Sequence, residues 1–177
     1  MRRAVFIDRD GVINEAIVRN GKPYPPDSIE ALRLCDGVEE AVRALRAAGF
    51  LTIVATNQPD VGAGIQARET VEAMHRDLQR RLMLDDLRVC YHTDADGCAC
   101  RKPKPGMLVD AAADWQVELR RSFMVGDRWR DIDAGRAAGC RTILVGGGYD
   151  ERPAEGFDMR LESLLEASRW ILAQGER

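Results

Sequence analysis

The residues best suited to chemistry lie in short runs that each end an apolar stretch. Asp8-Arg9-Asp10-Gly11 follows Ala4-Val5-Phe6-Ile7. Along an extended chain residues i and i+2 point to the same side. Asp8 and Asp10 are therefore a pair in which one carboxylate attacks an electrophile or binds a cation while the other handles a proton. The same Asp-x-Asp spacing recurs at Asp94/Asp96 and Asp131/Asp133. The first pair stands apart because it follows a buried strand and because Gly11 allows a tight exit. Thr56-Asn57-Gln58 offers hydroxyl, amide and backbone N–H groups for phosphoryl oxygens, although such residues also build capping turns. Gly126-Asp127 supplies a carboxylate of the kind Mg²⁺ takes; the competing role is a helix N-cap, for which Asp131 is the better candidate. Arg101 and Lys102 precede a helix opening at Pro105-Gly106, and a lysine beside a helix N-terminus suits an anion.

A second cluster has different chemistry. Cys90-Tyr91-His92 and Cys98-Ala99-Cys100 flank the turn 93–97. Three thiolates and one imidazole make a closed tetrahedral set, the donor set of structural zinc with no position left for catalysis. Ordering this loop by Zn²⁺ positions Arg101 and Lys102, which follow it directly. Cys35 and Cys140 read as core or surface cysteines, and His75 as a partly exposed side chain on a helix.

Apolar runs of strand length alternate with amphipathic stretches to position these groups. Strands are expected over Arg3–Ile7 and over 51–55, 87–91, 122–125 and 142–145. Helices are expected after Asp36 as N-cap, with Val38, Ala41, Val42 and Leu45 on one face, and over 67–83. Others open at Pro105-Gly106, run through 132–138, and span 161–172 with Leu161, Leu164, Leu165, Ser168 and Leu172 as the stripe. Alternating strands and helices give an α/β fold: a Rossmann-like three-layer sandwich with a central parallel sheet, one domain over 1–177, and too little inserted chain for a large cap. Ligands of such sheets bind outside the carboxyl ends of the strands, where the candidate residues fall.

Composition excludes other classes. In 177 residues, 26 Lys plus Arg against 29 Asp plus Glu give a formal charge of −3, so no basic stripe for nucleic acid or polybasic membrane anchor is expected. The first apolar run stops at Asp8, short of a signal-peptide core. No 18-residue apolar segment spans a bilayer. A cytoplasmic protein is expected.

Asp8-Arg9-Asp10-Gly11-Val12-Ile13-Asn14, Ala55-Thr56-Asn57-Gln58, Cys100-Arg101-Lys102-Pro103 and Val125-Gly126-Asp127 resemble, in order, the four motifs of the haloacid dehalogenase-like phosphatases. Within them the chain is most similar to the heptose-bisphosphate and histidinol-phosphate phosphatases, and the heptose phosphatases carry a matching Cys-x-His … Cys-x-Cys element. The resemblance implies that Asp8 is a nucleophile forming an aspartyl-phosphate and Asp10 the general acid, then base. It implies Mg²⁺ bound by Asp8, the Asp10 carbonyl and Asp127, and phosphate or substrate bound by Thr56, Asn57, Gln58, Arg101, Lys102 and Arg128. The implied partner is a small phosphorylated metabolite, first a sugar bisphosphate losing its 7-phosphate, with histidinol phosphate or another small ester as the alternative. A non-catalytic phosphate-binding module is disfavoured because Asp8, Asp10, Lys102 and Asp127 are all present. Two positions depart from the heptose pattern: Ala63 stands where an arginine is usual, and Arg128 where a lysine is frequent.

Overall fold

The computed structural model describes residues 1–174. Its centre is β1 (Arg3–Ile7), buried on both faces, as a strand covered from two sides must be. Residues of β1 alternate between two cores: Val5 and Ile7 join one, Ala4 and Phe6 the other. β1 pairs in parallel with β4 (Phe50–Asn57) on one side and β6 (Phe123–Gly126) on the other. Beyond β4 lies β5 (Asp86–Cys90); beyond β6 lie β7 (Arg141–Val145) and β8 (Met159–Leu161). The six strands run β5-β4-β1-β6-β7-β8, all in parallel.

Helices cover both faces. Residues of α1 (Val38–Ala47), α3 (Arg68–Leu82) and α6 (Leu164–Gln174) fill the Val5/Ile7 core. In α1 the buried positions Val38, Ala41, Val42 and Leu45 keep helical spacing, and complete burial of a valine or leucine is worth roughly 1.5–3 kcal/mol. The opposite core receives α4 (Gly106–Trp115), with α5 (Trp129–Ala138) beside it. There Gly135 lets α5 close on the sheet, since a Cβ would stand 2.6 Å from Met124 Cβ. This is the expected three-layer α/β sandwich. Among the described residues no helix is long and apolar enough to cross a membrane.

Two local expectations need correction, and two small elements add to the expected ones. Asp36 is not the N-cap of α1; Gly37 is, in a left-handed conformation, and a Cβ there would press on Leu165 of α6 at 2.7 Å. Leu161 does not open the last helix but ends β8; Ser163 Oγ accepts from Glu166 N and starts the helix two residues later. The segment after Asp10 carries a small antiparallel hairpin, β2 (Ile17–Arg19) and β3 (Lys22–Tyr24). The loop after β4 holds one helical turn, α2 (Pro59–Gly62).

Candidate active site

β1, β4 and β6 end side by side, and the groups that follow them converge. The Asp8 N–H still bonds to Val125 O at 2.9 Å, so the strand pairing sets where the Asp8 side chain begins. The chain then turns sharply around the Arg9 carbonyl, which accepts from the N–H groups of Val12, Ile13 and Asn14. Gly11 makes this turn at φ 87°, and a Cβ there would lie 1.9 Å from Asp127 Oδ2. Only glycine lets the first strand end pass so close to the third.

Lys102 reaches into this junction with its side chain 2% exposed. Its Nζ donates to Asp8 Oδ1 at 2.8 Å, Asp131 Oδ1 at 2.5 Å and the Ala55 carbonyl at 2.7 Å. Asn57 holds the Lys102 backbone at both ends, donating to its carbonyl at 3.0 Å and accepting from its N–H at 3.1 Å. Asp131, expected as an N-cap, serves α5 from its third position: Oδ2 accepts the Arg128 N–H at 3.1 Å while Oδ1 takes the lysine. Gly126 makes room for it, since a Cβ there would stand 2.1 Å from Asp131 Cβ.

Asp8, Asp127 and Asp131 present carboxylate oxygens within 4.8 Å of one another. Three buried acids share one lysine, so negative charge is in excess. Burial, then the Asp131 charge, push Asp8 up to about 6 against the pull of Lys102. Burial and the charges of Asp8 and Asp131 raise Asp127 well above the usual carboxylate value. Tyr149 donates to Asp127 Oδ2 at 2.5 Å, and Asp127 Oδ1 is buried without a hydrogen-bond partner among the described residues. An orphaned oxygen amid crowded carboxylates fits a hard divalent cation, which accepts oxygen donors and supplies the missing charge.

The Asp10 carboxylate is not in that acidic cluster. Its Oδ1 accepts from Arg9 Nε at 3.2 Å, Arg9 Nη2 at 2.9 Å and Asn14 Nδ2 at 2.9 Å; its Oδ2 accepts from Gln58 Nε2 at 2.8 Å. Burial alone would raise its pKa, but the Arg9 charge and these hydrogen bonds bring it below the ordinary value. Thr56 is buried with its Oγ1 accepting from Gln58 Nε2 at 2.9 Å, so Thr56 and Gln58 brace Asp10 from behind. His75 is no partly exposed helical residue: it is 6% exposed, and its Nε2 lies 2.8 Å from Arg9 Nη1.

A cleft of about 150 Å³ opens over Asp8, Asp10 and Lys102, between the end of the hairpin at Pro23-Tyr24-Pro25 and the α2 residues Pro59 and Asp60. Asn57, Arg128, Arg130 and Asp131 complete its lining. Arg101, expected against the phosphate, is not among these residues; it turns to the cysteine loop and bonds Asp94 at 2.8 Å. Arg130, which sequence reasoning passed over, takes that place on the wall, with longer 3.3 Å contacts to the exposed Asp94. Arg128 lines the cleft as expected but is gripped by both oxygens of Glu151. Ala63 caps α2 away from the lining.

The cysteine loop closes as expected. The Sγ atoms of Cys90, Cys98 and Cys100 and the His92 Nδ1 gather in one cluster: Cys90–Cys98 at 3.6 Å, Cys98–Cys100 at 3.4 Å, and His92 at 3.7 and 3.4 Å from Cys90 and Cys100. Sulfurs each about 2.3 Å from one tetrahedral zinc would stand about 3.8 Å apart, near two of these separations and longer than the third, Cys90–Cys100 at 2.8 Å. Lys104 Nζ closes the loop on the carbonyls of Gly97 and Cys98, both at 2.8 Å, two residues after Lys102.

Comparison with known proteins agrees with this geometry. A family model described as HAD-hydrolase-like matches residues 99–166, the stretch carrying Lys102, Asp127 and Asp131. The D-glycero-beta-D-manno-heptose-1,7-bisphosphate 7-phosphatase of Rhodopseudomonas palustris is 39% identical over 78% of this chain and 80% of its own. The corresponding phosphatase of Thermosynechococcus vestitus is 37% identical over 96% and 95%. Among solved structures, the D,D-heptose 1,7-bisphosphate phosphatase from B. bronchiseptica, complexed with magnesium and phosphate, aligns with a TM-score of 0.84 at 31% identity, covering 97% of this chain and 99% of that one. Identity of this order along nearly the whole length reaches past a shared fold: the chain belongs to the haloacid dehalogenase-like phosphatases, in the family of the D-glycero-D-manno-heptose-1,7-bisphosphate 7-phosphatases.

Proposed function

We propose that this phosphatase removes the 7-phosphate of D-glycero-D-manno-heptose 1,7-bisphosphate through an aspartyl-phosphate on Asp8. The observation that carries the reading is the buried Asp8–Lys102–Asp131 junction beside the unpartnered Asp127 oxygen. Mg²⁺ held by Asp8, the Asp10 carbonyl and Asp127 would supply positive charge against the phosphoryl oxygens. Asp131, bonded to Lys102 and the Arg128 N–H, joins the acidic cluster as a positioning group. Binding of the anionic phosphoryl group beside Asp10 raises its pKa so that it takes up a proton; the Asp8 carboxylate then attacks phosphorus as the bond to the sugar oxygen breaks, and Asp10 gives that oxygen its proton. Asp10, now a carboxylate, takes a proton from water, which attacks the phosphorus and frees Asp8 and inorganic phosphate. Lys102 neutralises charge in both steps, while Asn57 fixes the lysine backbone and Thr56 and Gln58 support Asp10. Arg128 and Arg130 face the rest of the substrate from the cleft wall. Zn²⁺ bound by Cys90, His92, Cys98 and Cys100 would hold the loop that delivers Lys102.

One observation favours a second ester. Asp60 brings a carboxylate to the cleft, a charge that suits an ammonium-bearing phosphate ester such as histidinol phosphate. Phosphate release from a panel with Mg²⁺ decides between them: both anomers of the heptose bisphosphate, histidinol phosphate and simple sugar phosphates. A preference of tenfold or more in kcat/KM for one bisphosphate anomer is expected. Faster turnover of histidinol phosphate, with both bisphosphates poor, would overturn the first reading and keep the chemistry.

A further inference from the structure

The largest fully buried side chain among the described residues is not apolar; it is Arg9, between the two aspartates of the first motif. Each of its three guanidinium nitrogens has a partner: Nε and Nη2 hold Asp10 Oδ1, Nη2 also reaches Gln58 Oε1 at 3.2 Å, and Nη1 meets His75 Nε2 at 2.8 Å. His75 comes from α3, on the buried stripe formed by Val71, Met74, Leu78 and Leu82. A histidine there needs a reason, since a hydrophobe would bury at no polar cost. Burial and the neighbouring guanidinium keep the imidazole neutral, its pKa pushed down to about 3. A neutral ring facing an N–H donor presents its Nε2 lone pair, with the proton on Nδ1.

The geometry of Arg9 turns that one bond into a constraint on another residue. A guanidinium is planar, so fixing Nη1 fixes the directions of Nε and Nη2. Without an acceptor at His75, the buried fork would turn to find one and draw its two bonds off Asp10 Oδ1. We propose that His75 is a positioning residue for phosphoryl transfer: by accepting from Arg9 Nη1 it sets the guanidinium plane that, with Gln58 and Asn14, aims the Asp10 carboxylate at the cleft. This rests on the reading of Asp10 as the proton-transferring group. A packing role alone for His75 would change stability and leave turnover per folded molecule intact.

The test uses the full chain with Mg²⁺ and the fastest ester of the panel above, comparing His75→Leu, His75→Gln and Asp10→Asn. His75→Leu should lose tenfold or more in kcat, with KM and the half-saturating Mg²⁺ concentration within twofold of the parent. His75→Gln, whose Oε1 can accept where Nε2 did, should recover most of the loss. If His75→Leu does not fold, His75→Asn, polar but too short to reach Arg9, carries the same expectation. Turnover within twofold of the parent in the leucine or asparagine variant would overturn the proposal, as would a glutamine variant no faster than they are. Asp10→Asn separates the two levels. If it stays active, the role of Asp10 is wrong; if it is inactive while His75→Leu is normal, only the role of His75 is wrong.

Discussion

Lys102→Met tests the electrostatics of the site most directly. Methionine keeps most of the aliphatic stem and removes only the ammonium, which is bonded to Asp8, Asp131 and a carbonyl in a nearly dry setting. Removing one partner of a buried ion pair costs about 3–5 kcal/mol, because the remaining charge stays desolvated. Here two carboxylates are left, so urea unfolding at pH 8 with chelator should show a loss at the upper end of that range. The pH dependence has a defined sign. Asp8 titrates in the folded parent near 6, above its ordinary 3.8, so the folded state holds the extra proton between these values and stability falls as pH rises through them. A displacement of about two pKa units corresponds to roughly 3 kcal/mol. Lys102 is the cation that limits this rise, so in the variant the window extends to higher pH. The deficit against the parent should therefore be largest at pH 8 and at least halved at pH 5. Turnover should fall by about 10²–10³, as for the loss of one preorganised charge-stabilising donor. A deficit under about 1 kcal/mol at pH 8, or one that is flat from pH 5 to 8, would refute the assignment of Lys102 as the counter-charge of these acids.

Asp8→Asn should abolish phosphate release yet raise the melting temperature of the metal-free protein, since it removes one of three crowded carboxylates; near-normal turnover would sink the aspartyl-phosphate mechanism. Tyr149→Phe removes the donor to Asp127 Oδ2 and should weaken Mg²⁺ binding several-fold by calorimetry with little change in unfolding free energy at saturating metal; an unchanged affinity would count against a role for the phenol at the cation site. Elemental analysis should find about one zinc per chain. Its removal by a strong chelator should lower the melting temperature and expose the segment around 93–97 to protease, and a zinc-free protein of full stability would exclude the tetrahedral site.

Much of this arrangement was legible because the sequence states it locally. β1, β4 and β6 are largely apolar runs with Asp8, Thr56 and Asp127 at their carboxyl ends, so the sheet alone brings these three to one edge. What the sequence hid depends on contacts between distant segments. Nothing near Arg101 says that Asp94 will capture it while Arg130 takes the cleft wall. Asp131 looked like a cap and is one, but its second oxygen meets a lysine 29 residues away. His75 did carry a signal: it lies on the apolar stripe of its helix, four residues after Val71 and three before Leu78, where a polar residue asks for a buried partner. Leu161 extended the apolar stripe of the last helix backwards by one turn, while Ser163 with Glu166 three residues on was the better start signal.

The strand order also bears on how the molecule is made. β1 leaves the ribosome before either of its partners, β4, which begins at Phe50, and β6, which begins at Phe123. At roughly 5–20 residues per second, the second partner arrives several seconds or more after β1. For that interval a strand apolar from Ala4 to Ile7 has one or both edges open, a template for wrong pairing. Chain closure of this span is slow compared with local helix formation. Chaperone demand and aggregation during overexpression should therefore depend on the translation speed of the segment between β4 and β6. Slowing synthesis there prolongs the half-paired state, whereas slowing it after β6 does not.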